Sequence, residues 1–568
     1  MREFHPDGRV SLRVVDGTAA GPVLPWADDW CLCTGRQAVI PRRLAVAAGV
    51  VAAGAVALTV AVWPDGSDGS GEATASPSDG KSAVSQTPAP SPTKSYPLSK
   101  APAVIPAVRE HTAARGPGWR PAPGGRVVVA DEDLADEGKL IAGELKLAYA
   151  GDDDPRKGDV ELVLDPDADG GDESYTLSVK GQRVKISAPA EAGVFYGTRT
   201  LKQEVTGERT APEGVVRDRP AKPQRGFMID TARKHFSAEW IEDRVRELGD
   251  LKYNQLGLHF SDDQAFRIES DSHPEVVSPE HLTKAQVRRI LKLAAARHIT
   301  VVPEIDSPGH LGAVIKAHPS LQLVDARGVA SRGAVDISKP QAAEIVDDLL
   351  EEFADLFPGR YWHLGADEYR ALMVDNPEAS YPQLAAAARE RYGQGARVQD
   401  LTTGWLNDRA DTLRPYERRL KAWNDGFFRG GVEEAADDLE VAYWTGKEIG
   451  AREPVEYLKA GRKVVNYNDE YLYYVLGQPN AFVYPTGQRI YEQWTPLVIR
   501  GTRPVSAEYD DQILGGTFAV WCDLAGAQTP EQVAAGIRLP LRATIQKLWD
   551  PRRPTLPWGD FVKLAEMS

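Results

Sequence analysis

Cysteine is nearly missing from this chain. Three cysteines and four methionines occur in 568 residues, so no disulfide framework holds it together. Cations are outnumbered: 67 basic against 82 acidic side chains leave a formal charge of −15, which argues against nucleic acid as a partner because a phosphate backbone needs clustered Lys and Arg. No Gly-rich phosphate fingerprint follows any strand-like segment, which disfavours a doubly wound nucleotide-binding sheet. Cys31 and Cys33 have no second ligand pair with which to build a metal or redox site. Cys522 sits in an apolar run and reads as a packed thiol.

Long uncharged runs are also scarce, with one exception. Residues 44–63 form an unbroken uncharged stretch of 20 residues, rich in Ala and Val, directly after Arg42 and Arg43. Its length suits a helix crossing a hydrocarbon core, and the arginines hold the preceding tail, 1–43, in the cytoplasm. The segment is therefore expected to be a transmembrane signal anchor, or else the apolar region of a cleaved signal peptide. Residues 64–101 are a Ser/Pro/Thr/Gly/Ala tract with nothing to pack, a flexible linker. Everything beyond is expected on the extracellular face of the membrane, or secreted.

From 102 to 220 the pattern predicts a small α+β domain. Strands are expected at 126–130, 159–164, 174–179 and 182–187, and a helix at 191–204. No cluster of His, Asp or Glu falls in this region at ligand spacing, so it reads as a supporting unit. From 221 to 568 short strands alternate with amphipathic helices. Strands at 225–230, 255–260, 300–305, 361–364, 420–423, 440–444, 463–467 and 516–521 predict an α/β fold, a (β/α)8 TIM barrel, preceded by the small domain.

In such a barrel the reacting groups stand at the C-terminal ends of the strands, and the polar residues gather there. Asp230 and Arg233 follow the first strand and Asp262-Asp263-Gln264 the second. Glu304, Asp306 and His310 follow the third, and Asp367 with Glu368 the fourth. Trp423, Trp444, Trp521 and Asp523 end later strands. Carboxylates that accept from hydroxyls, beside indoles that cover a pyranose face, describe a sugar site. Adjacent carboxylates cannot flank a glycosidic bond from opposite sides as the usual pair does. They suit a division in which one is the general acid and base and its neighbour stabilises a cation on the substrate.

These residues carry a resemblance. Arg225-Gly-Phe-Met-Ile-Asp-Thr-Ala-Arg233, His259-Phe-Ser-Asp-Asp-Gln264, Pro303-Glu-Ile-Asp-Ser-Pro-Gly-His310 and His363-Leu-Gly-Ala-Asp-Glu368 resemble, in order, motifs of the family-twenty glycoside hydrolases, the β-N-acetylhexosaminidases. The resemblance implies substrate-assisted hydrolysis of terminal β-linked GlcNAc or GalNAc with net retention, without metal or cofactor. It implies Glu368 as the general acid, Asp367 as the partner of the acetamido N–H, and Tyr471, or alternatively Tyr473, as the donor to the acetamido oxygen. Arg233 and Asp523 would bind sugar hydroxyls, Trp423, Trp444 and Trp521 would wall the pocket, and Asp262 with His310 would support the acid. The partner is then an oligosaccharide or polysaccharide containing N-acetylhexosamine.

Two departures stand out. Ala366 replaces a usual glycine, a change expected to be tolerated if φ there is not positive, and Asp523 stands where many members carry Glu. The run Asn466-Tyr-Asn-Asp-Glu-Tyr-Leu-Tyr-Tyr474 looks more like the dispersin and lacto-N-biosidase branch. Alternatives are therefore a lacto-N-biosidase, which Arg233 disfavours, a dispersin-like hydrolase of poly-N-acetylglucosamine, an inactive glycan-binding protein, and a metal hydrolase on Asp262, Glu304, Asp306 and His310.

Overall fold

A computed structural model of the protein describes residues 95–206, 209–447 and 451–567. The tail, the apolar segment 44–63, and the linker up to residue 94 lie outside the described residues, as do Cys31 and Cys33. Among the described residues no helix is long and apolar enough to cross a membrane.

Eight parallel strands close into a barrel. They are Gln224–Asp230, Gln255–Ser261, Thr300–Ile305, Tyr361–His363, Arg419–Trp423, Glu440–Tyr443, Val464–Asn466 and Ile513–Trp521. Neighbours pair in sequence order, and the ring closes through Val464↔Ile513 on one side and Thr517↔Gly226 on the other. Every residue of the first strand is buried, as expected where both faces of a parallel sheet are covered. Thr517 comes so close to the first strand that a Cβ at Gly226 would lie 2.3 Å from its Oγ1, so only glycine allows this pairing distance.

The helices between strands start where the sequence caps them. Lys284–Ala295 opens on a Thr283/Gln286 capping box, Ala238–Asp250 on Ser237, and Pro530–Trp549 on a Thr529/Gln532 box with Pro530 in its first turn. One expectation fails. The fifth strand is followed by a 3₁₀ turn, Asn424–Gly426, and by no α-helix before Glu440, because residues 427–439 are short of apolar residues at helical spacing. The seventh strand is also split: Tyr473–Val475 resumes beside the last strand, pairing Tyr473↔Ala519, after a turn at 467–472.

The lower barrel is plugged by polar side chains. Lys421 Nζ donates to Gln224 Oε1 at 2.7 Å and Gln224 Nε2 to Glu440 Oε2 at 2.9 Å. The upper barrel is aromatic, with Met228, Trp423, Tyr467, Tyr473 and Trp521 in one cluster.

The preceding domain is a seven-stranded mixed sheet covered by the helices Ala135–Leu145 and Glu191–Val205. Sequence periodicity does not predict the first of these helices, the edge strands Glu110–Ala113 and Ala148–Tyr149, or the inner strand Gly214–Asp218. This domain docks on the barrel through buried polar contacts. Arg225, wholly buried at the start of the first barrel strand, donates to Glu173 at 2.7 and 2.8 Å and to the Tyr196 hydroxyl at 3.0 Å. Trp549, ending the last barrel helix, enters the small domain's apolar core and donates from Nε1 to Asp218 at 3.0 Å.

Candidate active site

The fourth strand ends at His363, and the chain then turns sharply. Gly365, Ala366 and Glu368 have φ of 68°, 78° and 47°. At Gly365 no side chain fits, since a Cβ would stand 1.8 Å from Asp306 Oδ1. Ala366 occupies left-handed backbone, so the condition under which its methyl was expected to be tolerated is not met. Its N–H donates to Asp306 Oδ1 at 2.7 Å, and its Cβ has room because residue 426 is glycine, where a Cβ would come within 2.9 Å of it. The turn carries the side chains of Asp367 and Glu368 to the mouth of the barrel, where they are 14% and 18% exposed.

Asp367 points toward buried Asp306. Burial pushes both carboxyls well above the usual range; the charge of Asp306 adds to the rise at Asp367, and that of Glu304 to the rise at Asp306, while the contact with Asp367 works against it there. Asp367 is thus paired across strands with Asp306 rather than with its neighbour in sequence. Glu368 turns toward His310. Its N–H donates to Asp425 Oδ2 at 2.9 Å, and Asp425 Oδ1 accepts from Trp444 Nε1 at 3.0 Å. Burial lifts Asp425 to about 6.

His310 links the pair to the second strand. Its Nδ1 lies 3.3 Å from Asp262 Oδ1, and its Nε2 lies 3.6 Å from Glu368 Oε2 and 3.7 Å from Asp367 Oδ2. Burial disfavours its charged form, but Asp262 and then Asp367 outweigh it and raise it to about 10, so the imidazole is cationic at neutral pH. Asp262 also accepts from Arg233 at 2.7 Å and faces His259 Nε2 at 2.8 Å. Glu304, held at about 2 against its burial by His363 and His259, accepts from Trp423 Nε1 at 2.8 Å.

The aromatic wall assembles from four strand ends. Trp444 stacks parallel to Tyr473 with centroids 5.8 Å apart, and Trp521 stands 5.8 Å from Tyr473 and 5.9 Å from Trp423. Tyr473 faces Asp367 electrostatically. Tyr471 does not belong to this wall. Its ring lies under the Arg489 guanidinium at 4.2 Å, in the apolar layer between strands and outer helices. The resemblance in sequence offers Tyr471 ahead of Tyr473 because no local pattern registers the turn that splits the seventh strand. Arg233 lies across the Trp521 ring at 5.5 Å and bonds Asp230 at 3.0 Å. Asp523, at the exposed rim, interacts with Arg233.

Asp306, His310 and Asp367 have donor atoms within 4.8 Å of one another, the best metal-ligating group in the pocket. It offers a single imidazole, already engaged with Asp262, and the other two members of the metal set considered from sequence, Glu304 and Asp262, pair with His259 and Arg233.

Residues 223–535 match the model of the glycosyl hydrolase family 20 catalytic domain, and residues 101–219 match domain 2 of the same family. The chain belongs to glycosyl hydrolase family 20. Among curated relatives, a lacto-N-biosidase of Bifidobacterium bifidum is 30% identical over 470 residues, covering 81% of this chain and 41% of that protein. A β-hexosaminidase of Vibrio furnissii is 27% identical over 412 residues, 65% of this chain and 64% of its own length. The chain thus spans less than two thirds of either relative. The family 20 β-N-acetylhexosaminidase of Streptomyces coelicolor A3(2) shares the fold with a TM-score of 0.65 at 24% identity, over 83% of this chain and 96% of that one.

Glu304, Asp306 and Asp425 complete this family 20 site without having been assigned roles in it from sequence. The signal for Asp425 was present in the Trp423-Asn-Asp-Gly426 turn, directly after a strand.

Proposed function

We propose that the protein is a retaining exo-β-N-acetylhexosaminidase that removes terminal GlcNAc or GalNAc from glycans. The observation that carries this is the placement of Asp367 and Glu368 on one turn, Asp367 beside Asp306 and near Tyr473 of the aromatic cluster, and Glu368 against cationic His310. The pocket suits a 2-acetamido group, and the Tyr473 hydroxyl suits its carbonyl oxygen.

In this mechanism the acetamido oxygen attacks the anomeric carbon while Glu368 protonates the departing glycosidic oxygen. Asp367 accepts from the acetamido N–H and balances the charge of the oxazolinium ion. Glu368 then takes a proton from water, which opens that ion with net retention. Arg233 and Asp523 hold the outer hydroxyls of the sugar. Asp262 fixes the ring of His310 and through it the position of Glu368. Residues 44–63 tether the enzyme to the membrane, with the barrel on the outer face; their uncharged length after Arg42 and Arg43 supports this, and extraction of the chain by alkaline carbonate would refute it.

The long match to a lacto-N-biosidase supports a second reading, release of a disaccharide. The deciding assay is hydrolysis of aryl β-N-acetylglucosaminide against aryl β-lacto-N-bioside, with and without EDTA. Release from the monosaccharide glycoside is the expected result. Release from the disaccharide glycoside alone would replace the exo assignment, and loss of activity with EDTA in the His273→Gln/His318→Gln variant, which lacks any ion outside the pocket, would replace the metal-free mechanism.

A further inference from the structure

Outside the pocket, the loops after the second and third barrel strands bring three metal-ligating side chains together. His273 precedes the 3₁₀ turn Pro274–Val276 and Glu275 lies inside it; His318 ends the helix Gly312–Ala317. Two imidazoles from different loops converge on one carboxylate oxygen. Glu275 Oε1 lies 2.9 Å from His273 Nδ1 and 2.9 Å from His318 Nε2. Donor atoms of the three residues all fall within 4.8 Å of one another. A tetrahedral zinc ion with bonds of about 2.0–2.1 Å sets its ligands roughly 3.3 Å apart, so side-chain shifts of about an ångström bring all three onto one ion.

Two further features fit an ion better than a hydrogen-bonded cluster alone. His273 Nε2 faces Asp348 Oδ2 at 3.2 Å, the carboxylate–imidazole arrangement that orients a ligating histidine and raises its basicity. The side chains are 14%, 42% and 23% exposed for His273, Glu275 and His318, which leaves an open side for water as the fourth ligand.

We propose that His273, Glu275 and His318 form a binding site for a divalent transition metal, zinc above all, that staples the second and third βα loops to each other. The ion performs no chemistry on substrate. Asp262 and His310 stand at the stems of the two loops, so the staple acts on catalysis only by fixing their separation, and its three ligands are positioning residues.

The test is calorimetric titration with Zn²⁺ of the full chain carrying Cys31→Ser and Cys33→Ser, which removes the two thiols of the N-terminal tail, after stripping with EDTA. One ion per chain is expected at micromolar zinc. The double variant His273→Gln/His318→Gln should bind about 100-fold more weakly or worse, and Asp348→Asn about tenfold more weakly. Glu275→Gln keeps the side chain's volume and should also lose the ion. His310→Gln should bind as its parent does, because the pocket's own donors are not the site. Zinc should raise the unfolding midpoint of the parent and leave that of the double variant unmoved, with circular dichroism confirming that the variant is folded. Absence of saturable binding, binding that survives the double variant, or binding lost with His310→Gln overturns the proposal, whatever the hydrolase assay shows.

Discussion

Glu368 and Asp367 are neighbours in sequence with different surroundings, and their variants should separate accordingly. Glu368→Gln is expected to lower kcat on a natural disaccharide by about 10²-fold or more, with a smaller loss on aryl glycosides, whose leaving groups need less protonation. Asp367→Asn should lose rate on both substrates, since orientation of the acetamido group does not depend on the leaving group. Equal losses for Glu368→Gln on the two substrates would remove its role as the acid. Ala366 is the other residue whose setting decides its fate. A left-handed conformation costs a non-glycine residue about 1–2 kcal/mol, against roughly 0.4–1 kcal/mol of chain entropy that glycine adds to the unfolded state. Ala366→Gly should therefore raise stability in urea slightly and leave kcat intact; a loss above about 1 kcal/mol would mean that the methyl contact with the 424–426 turn matters more than the strain.

His310 makes a statement about pH. Its folded pKa of about 10 lies above the ordinary 6.5, so the stabilisation it contributes is fully present below pH 6.5 and is lost as pH rises through about 10. The urea midpoint should fall across that window, and His310→Gln should flatten the fall. An unchanged slope in the variant would show that His310 is not the cation between Asp262 and Glu368.

At the scale of elements, the seventh strand is where sequence and structure part. Its first half pairs early with the eighth strand at Val464↔Ile513, and its second half resumes at Tyr473↔Ala519. The intervening turn is held by Asn466 and Asn468, whose side chains donate to the backbone carbonyls of Pro496, Val498 and Gly501. That turn sends Tyr471 outward and Tyr473 inward. Tyr473→Phe is expected to reduce kcat by about 10² with KM little changed, the scale of a lost oxyanion donor. Tyr471→Phe should change neither constant, and the reverse pattern would return the role to Tyr471. The eight barrel strands, by contrast, were legible because each combines an apolar run with a polar residue at its C-terminal end. The edge strands of the small domain carry no such punctuation, and Glu110–Ala113 has an exposed, polar face.

At the scale of the molecule, two folded regions meet through charge as much as through apolar surface. Arg225 was visible in the sequence only as the start of a motif, but its side chain is committed to the small domain, at the opposite end of the strand from Asp230. Removing Glu173 leaves that guanidinium buried with a hydroxyl and backbone carbonyls alone. Glu173→Ala should cost about 3–5 kcal/mol of stability, read by urea denaturation, with kcat unchanged below the transition. A cost under about 1 kcal/mol would mean that Trp549 and the apolar contacts carry the docking.

What the sequence by itself determined is the barrel, its order of strands, and the set of polar and aromatic residues at its mouth, because period and strand-end position are local properties that burial on both faces enforces. What only the tertiary structure decided is which of those residues face one another. The pairing of Asp367 with Asp306, the inward turn of Tyr473, the left-handed Ala366 against Gly426, and the bond from Asp425 to the Glu368 amide all join different strand ends. Contacts of that kind are set by barrel closure and backbone direction, which no local pattern records.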